Sequence, residues 1–253
     1  MSKASRRERR SPDLHPGKKQ PSGRQISSGI DQREWFSRGY LPHRDRTALT
    51  QHVTIHLADS LPASALDKIE LSIKTLPETK RKIERRKKLE AWIDAGHGSC
   101  LLIKPDIASM IQETLLYFHR LRYYLYAWVV MPNHFHALFQ PINGWTTAKI
   151  VASWKKFSAR RIREYLKREQ RLIEDYRSKD KDGRADQEIR VPGGRLRPEP
   201  VWQPEFWDRY IRDEGHYWDT VEYIHNNPVK AGLARRPEDW PWSSAAVGDE
   251  EFG

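Results

Sequence analysis

The chain has 253 residues, 38% of them hydrophobic, with a formal net charge of +11. This suits one domain with a core and long appendages, and the basic excess favours a polyanionic partner, nucleic acid or an anionic membrane surface. No apolar run approaches the roughly 20 residues of a membrane span, the basic N-terminus lacks an apolar signal core, and a single cysteine, Cys100, excludes an internal disulfide and a cysteine zinc finger, so a cytoplasmic protein without a membrane partner is expected.

Residues 1–33 are rich in Ser, Pro, Gly, Lys and Arg, which predicts a disordered basic tail. Residues 34–245 are expected to form one domain, with a short tail over 246–253. Gln51 to Leu57 alternates apolar and polar residues and reads as a first strand. Asp59-Ser60-Leu61-Pro62 ends it and opens a helix, with Ser60 as the expected cap. Residues 78–95 carry Lys80-Arg81-Lys82 and Arg85-Arg86-Lys87-Lys88, a basic helix that is either solvated or turned to DNA. A turn-rich break follows at Asp94 to Cys100, and a further helix is expected over 106–121.

The stretch Trp128 to Phe139 organises the chain. Aromatic and β-branched residues flank Pro132-Asn133, which predicts two strands joined in a hairpin. Alternate side chains share a face of a strand. His134 and His136 therefore point one way, and Phe135, Ala137 and Phe139 point into a core. Two imidazoles side by side on a rigid strand suit a divalent metal, here Mg or Mn, although half-buried structural histidines give the same pattern.

Residues 146–171 read as a long amphipathic helix, with Trp154, Phe157, Ile162, Tyr165 and Leu166 as its apolar stripe. Lys155, Lys156, Arg160, Arg161 and Arg163 make its other face basic, and phosphate contact is the expected role. Residues 172–200 are expected to be an inserted flexible loop. A last strand lies within Gln203 to Arg212, and a last helix runs over 214–226, stopping before Asn227-Pro228 or within the next turn. Strand, helix, strand, strand, helix, strand is the ferredoxin-like split βαβ pattern, an α+β fold with helices on one face of the sheet.

Tyr223 and Asn227 stand four residues apart, so a helix presents them one above the other. The amide oxygen would complete a set of three protein ligands on a hard cation. The phenol is a nucleophile suited to phosphorus. Tyr165, with Glu169 at the same spacing, is the alternative. Ten tyrosines are present, so a lone helix tyrosine is equally a packing residue.

Val130-Met131-Pro132-Asn133-His134-Phe135-His136, followed by Glu222-Tyr223-Ile224-His225-Asn226-Asn227-Pro228-Val229-Lys230-Ala231-Gly232-Leu233, closely resembles the REP-associated tyrosine transposases. These are single-tyrosine members of the histidine-hydrophobe-histidine (HUH) nuclease superfamily. The resemblance extends from about residue 35 to 245 through Gly39-Tyr40-Leu41-Pro42-His43, Trp154-Lys155-Lys156-Phe157 and Trp240-Pro241-Trp242-Ser243-Ser244. It implies an endonuclease and transposase acting on single-stranded or hairpin DNA, as a monomer or homodimer. His134, His136 and Asn227 match the metal ligands, and Tyr223 the nucleophile that forms a 5′-phosphotyrosine. A domesticated, non-cleaving DNA-binding protein of the same fold is the alternative. A histidine-dependent metal hydrolase acting on nucleotides would need neither the lone tyrosine nor so basic a surface.

Overall fold

Strand β1 (Trp35–Ser37) pairs antiparallel with β2 (Pro42–Arg44) in a small two-stranded sheet. The computed structural model describes residues 35–37, 42–44, 49–179 and 200–247. The expected tail over 1–33, residues 180–199 of the expected insertion and residues 248–253 lie outside them.

The main sheet is built from β3 (Gln51–His56), β4 (Tyr123–Val130), β5 (His134–Pro141) and β6 (Trp207–Tyr210). Its order is β4-β5-β3-β6, and every neighbouring pair is antiparallel. Between β3 and β4 come α1 (Ala63–Ile73), α2 (Glu78–Asp94) and α3 (Pro105–Leu116). Helix α4 (Thr147–Lys179) connects β5 to β6, and α5 (Glu214–Lys230) follows. With β5 inserted between β3 and β4, the connection through α1 to α3 is the expected split βαβ unit of an α+β fold.

Alternation along the strands sets two cores. Val53, Ile55, Leu125, Phe135, Ala137 and Phe139 face Ile107, Ile111 and Leu115 of α3 and Ile150, Val151, Trp154 and Ile162 of α4. The helical residues recur at the three- and four-residue steps of one helix face. On the other sheet face Ala127, Val129, Met131 and Leu138 meet Ile224 of α5 and Trp240. Helices α3 and α4 thus share one face, as the ferredoxin-like pattern predicts, whereas the added last helix, α5, lies on the other. Helix α5 crosses to the second face because β4 and β5 are apolar there too. A register shift between Leu125 and Ala127 makes this possible. The extra residue, Tyr126, reverses the phase of alternation, so that Trp128 and Val130 join the first core while Val129 and Met131 join the second.

Two element ends differ from expectation, those of α1 and α4, and α5 takes the later of the two ends expected for it. Ser60 does not cap α1; its hydroxyl donates to the Leu57 carbonyl at 2.7 Å, and the residue before the helix is Pro62. Helix α4 runs on to Lys179, so residues 172–179 are helix rather than loop, and Phe157 is exposed instead of in the apolar stripe. Helix α5 passes through Pro228 and ends at Lys230. Proline removes one donor there without ending the helix. Termination comes at Gly232, φ +70°, where the Leu233 amide reaches back to the Pro228 carbonyl at 2.8 Å.

The C-terminal segment closes the site-proximal end of edge strand β4. The Val130 amide donates to the Trp242 carbonyl at 2.8 Å, and the Trp240 indole N–H donates to the Val130 carbonyl at 2.9 Å. Among the described residues no helix is long and apolar enough to cross a membrane.

Phe139 is fully buried against Tyr123 and Trp154, at ring-centroid distances of 5.7 and 4.9 Å. Phe139→Ala is expected to cost about 3–5 kcal/mol of stability in denaturant unfolding. A loss below about 1 kcal/mol would mean that this core is not close-packed around the ring.

Candidate active site

Pairing of β3 with β5 places Thr54 opposite His136 and His56 opposite His134. Four histidines thus gather on the second sheet face: His52, His56, His134 and His136. His134 and His136 are almost completely buried, with Nε2 atoms 3.1 Å apart.

The protonation of His134 follows from its neighbour. The Asn133 amide nitrogen donates to the carbonyls of Ile93 and His97, each at 3.0 Å. Its oxygen must then face His134 Nδ1, 2.7 Å away, and Nδ1 carries the proton. A lone pair is left on Nε2. Around His136, Thr54 Oγ1 and His52 Nε2 each lie 3.0 Å from Nδ1, and either can take its proton. Asn133 thus fixes the His134 tautomer that metal ligation needs, and Thr54 and His52 are compatible with the matching one of His136. Burial holds both imidazoles well below their ordinary pKa of 6.5, and the neighbouring histidines add to this. His52 and His56 are pulled down to about 3, chiefly by burial and next by Arg86 and Lys155 respectively.

Asp94, the last residue of α2, completes the cluster. It brings a carboxylate oxygen to 3.8 Å from His134 Nε2. With His134 neutral, this is no ion pair. One ligand atom each from Asp94, His134 and His136 lies within 4.8 Å of the others. Burial and Glu90 push the Asp94 carboxyl up to about 6, against the pull of Lys230.

Helix α5 brings the expected pair to this cluster. Asn227 is buried with its amide nitrogen 3.2 Å from His136 Nε2, and rotating that amide presents its oxygen instead. The Tyr223 ring lies 5.4 Å from His136 and 5.9 Å from His52, centroid to centroid. Burial, then Asp94 and Glu90, push the phenol above its ordinary pKa of 10, while the Asn227 hydrogen bond and Arg86 act in the opposite direction. The Lys230 ammonium is 5.1 Å from the ring centroid. Neutral imidazoles, a carboxylate and an amide form a donor set that suits a divalent cation.

Tyr165 lies elsewhere. Its hydroxyl donates to Glu169 at 2.8 Å, and Glu169 pairs with Lys104. The buried residues of α4 pack on the sheet face opposite His134 and His136. The basic helix therefore does not adjoin the histidines directly; the sheet lies between. Lys156, Arg160, Arg161 and Arg163 are exposed on it. Lys155 is engaged, donating to the carbonyls of Gln203 and Pro204 at 2.6 and 2.8 Å.

Sequence reading missed Asp94, His52, Thr54, His56 and the part played by Asn133. A signal for three of them was present. His52, Thr54 and His56 alternate with Val53, Ile55 and Leu57, so they share the face that β5 gives to its histidines.

A family model described as "Transposase IS200 like" matches residues 102–177. An Escherichia coli REP-associated tyrosine transposase is 46% identical over 44 residues, 17% of this chain and 27% of that protein. A Haemophilus influenzae protein given the same name provisionally is 31% identical over 116 residues, 46% of this chain and 54% of that one. The chain is similar to REP-associated tyrosine transposases. It matches about half or less of the length of these relatives. A solved REP-associated tyrosine transposase bound to a REP hairpin is 18% identical, with a TM-score of 0.46 covering 81% of this chain and 82% of that one.

The buried histidines make stability depend on pH. Unfolded imidazoles take a proton near pH 6.5, whereas His52 and His56 resist it until about 3. Between those values the unfolded state binds more protons, so stability is present at neutral pH and is lost as pH falls. His56, 5% exposed, contributes a loss of up to about 1.4 kcal/mol per pH unit. Urea midpoints measured without divalent metal are expected to fall steadily from pH 7 to 5, and less steeply in His56→Gln. A flat profile in both proteins would contradict a buried neutral cluster.

Proposed function

We propose that this chain is a transposase-like enzyme that binds single-stranded or hairpin DNA and cleaves and rejoins it through a 5′-phosphotyrosine on Tyr223. The observation that carries this reading is the meeting of α5 with β5: Asn227 contacts His136 at 3.2 Å, and Tyr223, one turn earlier, stands beside the same ring. Similarity to proteins named as transposases supports the class of reaction.

His134, His136 and Asn227 would hold Mg or Mn, which when bound neutralises and orients a phosphate oxygen. The remaining chemistry belongs to the chain. The Tyr223 oxygen attacks phosphorus, the bond from phosphorus to the 3′ oxygen breaks, and the phosphate stays on tyrosine through its 5′ linkage. The proton lost by the phenol balances the one gained by the departing 3′ hydroxyl. A 3′ hydroxyl attacking the same phosphorus reverses each step and rejoins a strand. Arg86 and the Asn227 hydrogen bond favour the phenolate, whereas Asp94 and Glu90 oppose it.

Tyr223→Phe removes one oxygen and leaves the ring contacts in place. It is expected to fold, bind metal and hairpin DNA, and form no covalent adduct on a denaturing gel, while Tyr165→Phe stays active. A peptide map placing the nucleotide on any other residue would sink this assignment. Binding by the unaltered protein with no adduct in either Mg²⁺ or Mn²⁺ would favour the non-cleaving alternative.

DNA affinity is expected to come from phosphate contacts of α4. Lys156, Arg160 and Arg163 are the residues to change, because Lys155 also anchors the segment before β6. Replacing the three with Ala should weaken hairpin binding and flatten the slope of log affinity against log salt by about 0.7–0.9 for each phosphate no longer neutralised. An unchanged slope would place the DNA on another face.

A further inference from the structure

We infer that Asp94 is a fourth protein ligand to the metal, joining α2 to the set supplied by β5 and α5. This rests on the reading above, in which His134, His136 and Asn227 hold that ion.

Two imidazole nitrogens and a carboxylate oxygen converge on one point. The Asn133 amide leaves His134 Nε2 with a lone pair, and Asp94 Oδ1 faces it at 3.8 Å. His136 Nε2 lies 3.1 Å from the same atom. Three groups that offer lone pairs converge within 4.8 Å, an arrangement that a cation between them would stabilise.

Hydrogen bonds hold the Asp94 segment in this placement. The two carbonyls held by the Asn133 amide belong to Ile93 and His97, on either side of Asp94 in sequence. One side chain therefore orients the His134 ring and anchors the segment bearing the carboxylate. The turn after α2 is pinned as well. The Ser99 amide donates to Asp59 at 2.7 Å, and Gly98, φ +97°, runs so close to Asp59 that a Cβ would lie 2.9 Å from its carbonyl oxygen.

Asp94 also occupies an unfavourable position on its helix. It ends α2, where the backbone dipole is negative, and no basic residue stands in that last turn. A carboxylate there opposes helix stability. A residue that breaks a local rule beside a candidate site points to a task at the site. Two imidazoles, a carboxylate and an amide oxygen leave coordination positions open for water and a phosphate oxygen on Mg or Mn.

The test is Mn²⁺ binding to the full chain without DNA, read by calorimetry and by the electron paramagnetic resonance of free Mn²⁺. Asp94→Asn should weaken Mn²⁺ binding by at least the roughly 10-fold that loss of even an outer-shell partner brings. Glu90→Gln, one helical turn earlier, should change it by less than about 2-fold, and His136→Ala should abolish it. Circular dichroism at each titration temperature confirms that the variants remain folded. Unchanged affinity in Asp94→Asn, with loss in His136→Ala, would overturn the assignment of Asp94 alone. Equal weakening by Glu90→Gln would reduce its effect to general charge and also overturn it. Wild-type affinity in His136→Ala would instead remove the metal site on which the inference rests.

Discussion

The Asn133 side chain is the interaction on which the rest of the site depends. It is almost completely buried, and both ends of its amide are used. Each hydrogen bond to a neutral group is worth only about 1 kcal/mol net, but a buried polar group left without its partner costs more. The amide cannot turn over without setting its oxygen against two carbonyls. One strand-turn residue thereby decides which His134 nitrogen carries the proton and where the end of α2 lies. Hairpin, helix and histidine are coupled through a group that itself need not touch substrate.

The sheet supplies what a turn residue cannot. Pairing of β3 with β5 places four imidazoles on one face, and burial keeps them neutral. An aqueous histidine would be partly protonated near neutrality and a poorer ligand. Here the same desolvation that suits metal ligation also raises the phenol of Tyr223. A hydrophobic floor thus favours the imidazoles as ligands and disfavours the phenolate. Arg86 and the hydrogen bond from Asn227 offset the second effect in part.

Much of the fold was readable because its signals are local. Alternation in Gln51 to Leu57 and Trp128 to Phe139 marks the strands, and the spacing of Tyr223 and Asn227 predicts their shared helix face. Asp94 was not readable, because its position depends on hydrogen bonds from Asn133, about forty residues away in sequence. Lys155 looked like its basic neighbours, and only the placement of Gln203 and Pro204 reveals its different task. The persistence of α5 through Pro228 has a similar cause. Packing of Ile224, Asn227 and Pro228 against the sheet side holds a helix that local preference alone would end.

The extra residue at Tyr126 has a consequence for how this strand can change. It divides β4 into two segments of opposite parity. Before it, odd-numbered residues enter the α3 and α4 core; beyond it, even-numbered residues do. Deleting Tyr126 itself would straighten the strand and leave every later side chain on the face it already has, because Leu125 and Ala127 already oppose the consecutive residues Phe139 and Leu138. Straightening the strand with every residue kept would instead turn Trp128 and Val130 towards α5 and Val129 away from it. Drift in strand length is therefore confined to steps of two on either side of Tyr126, while the bulge is the place in β4 where a single residue can be lost without exchanging the two faces.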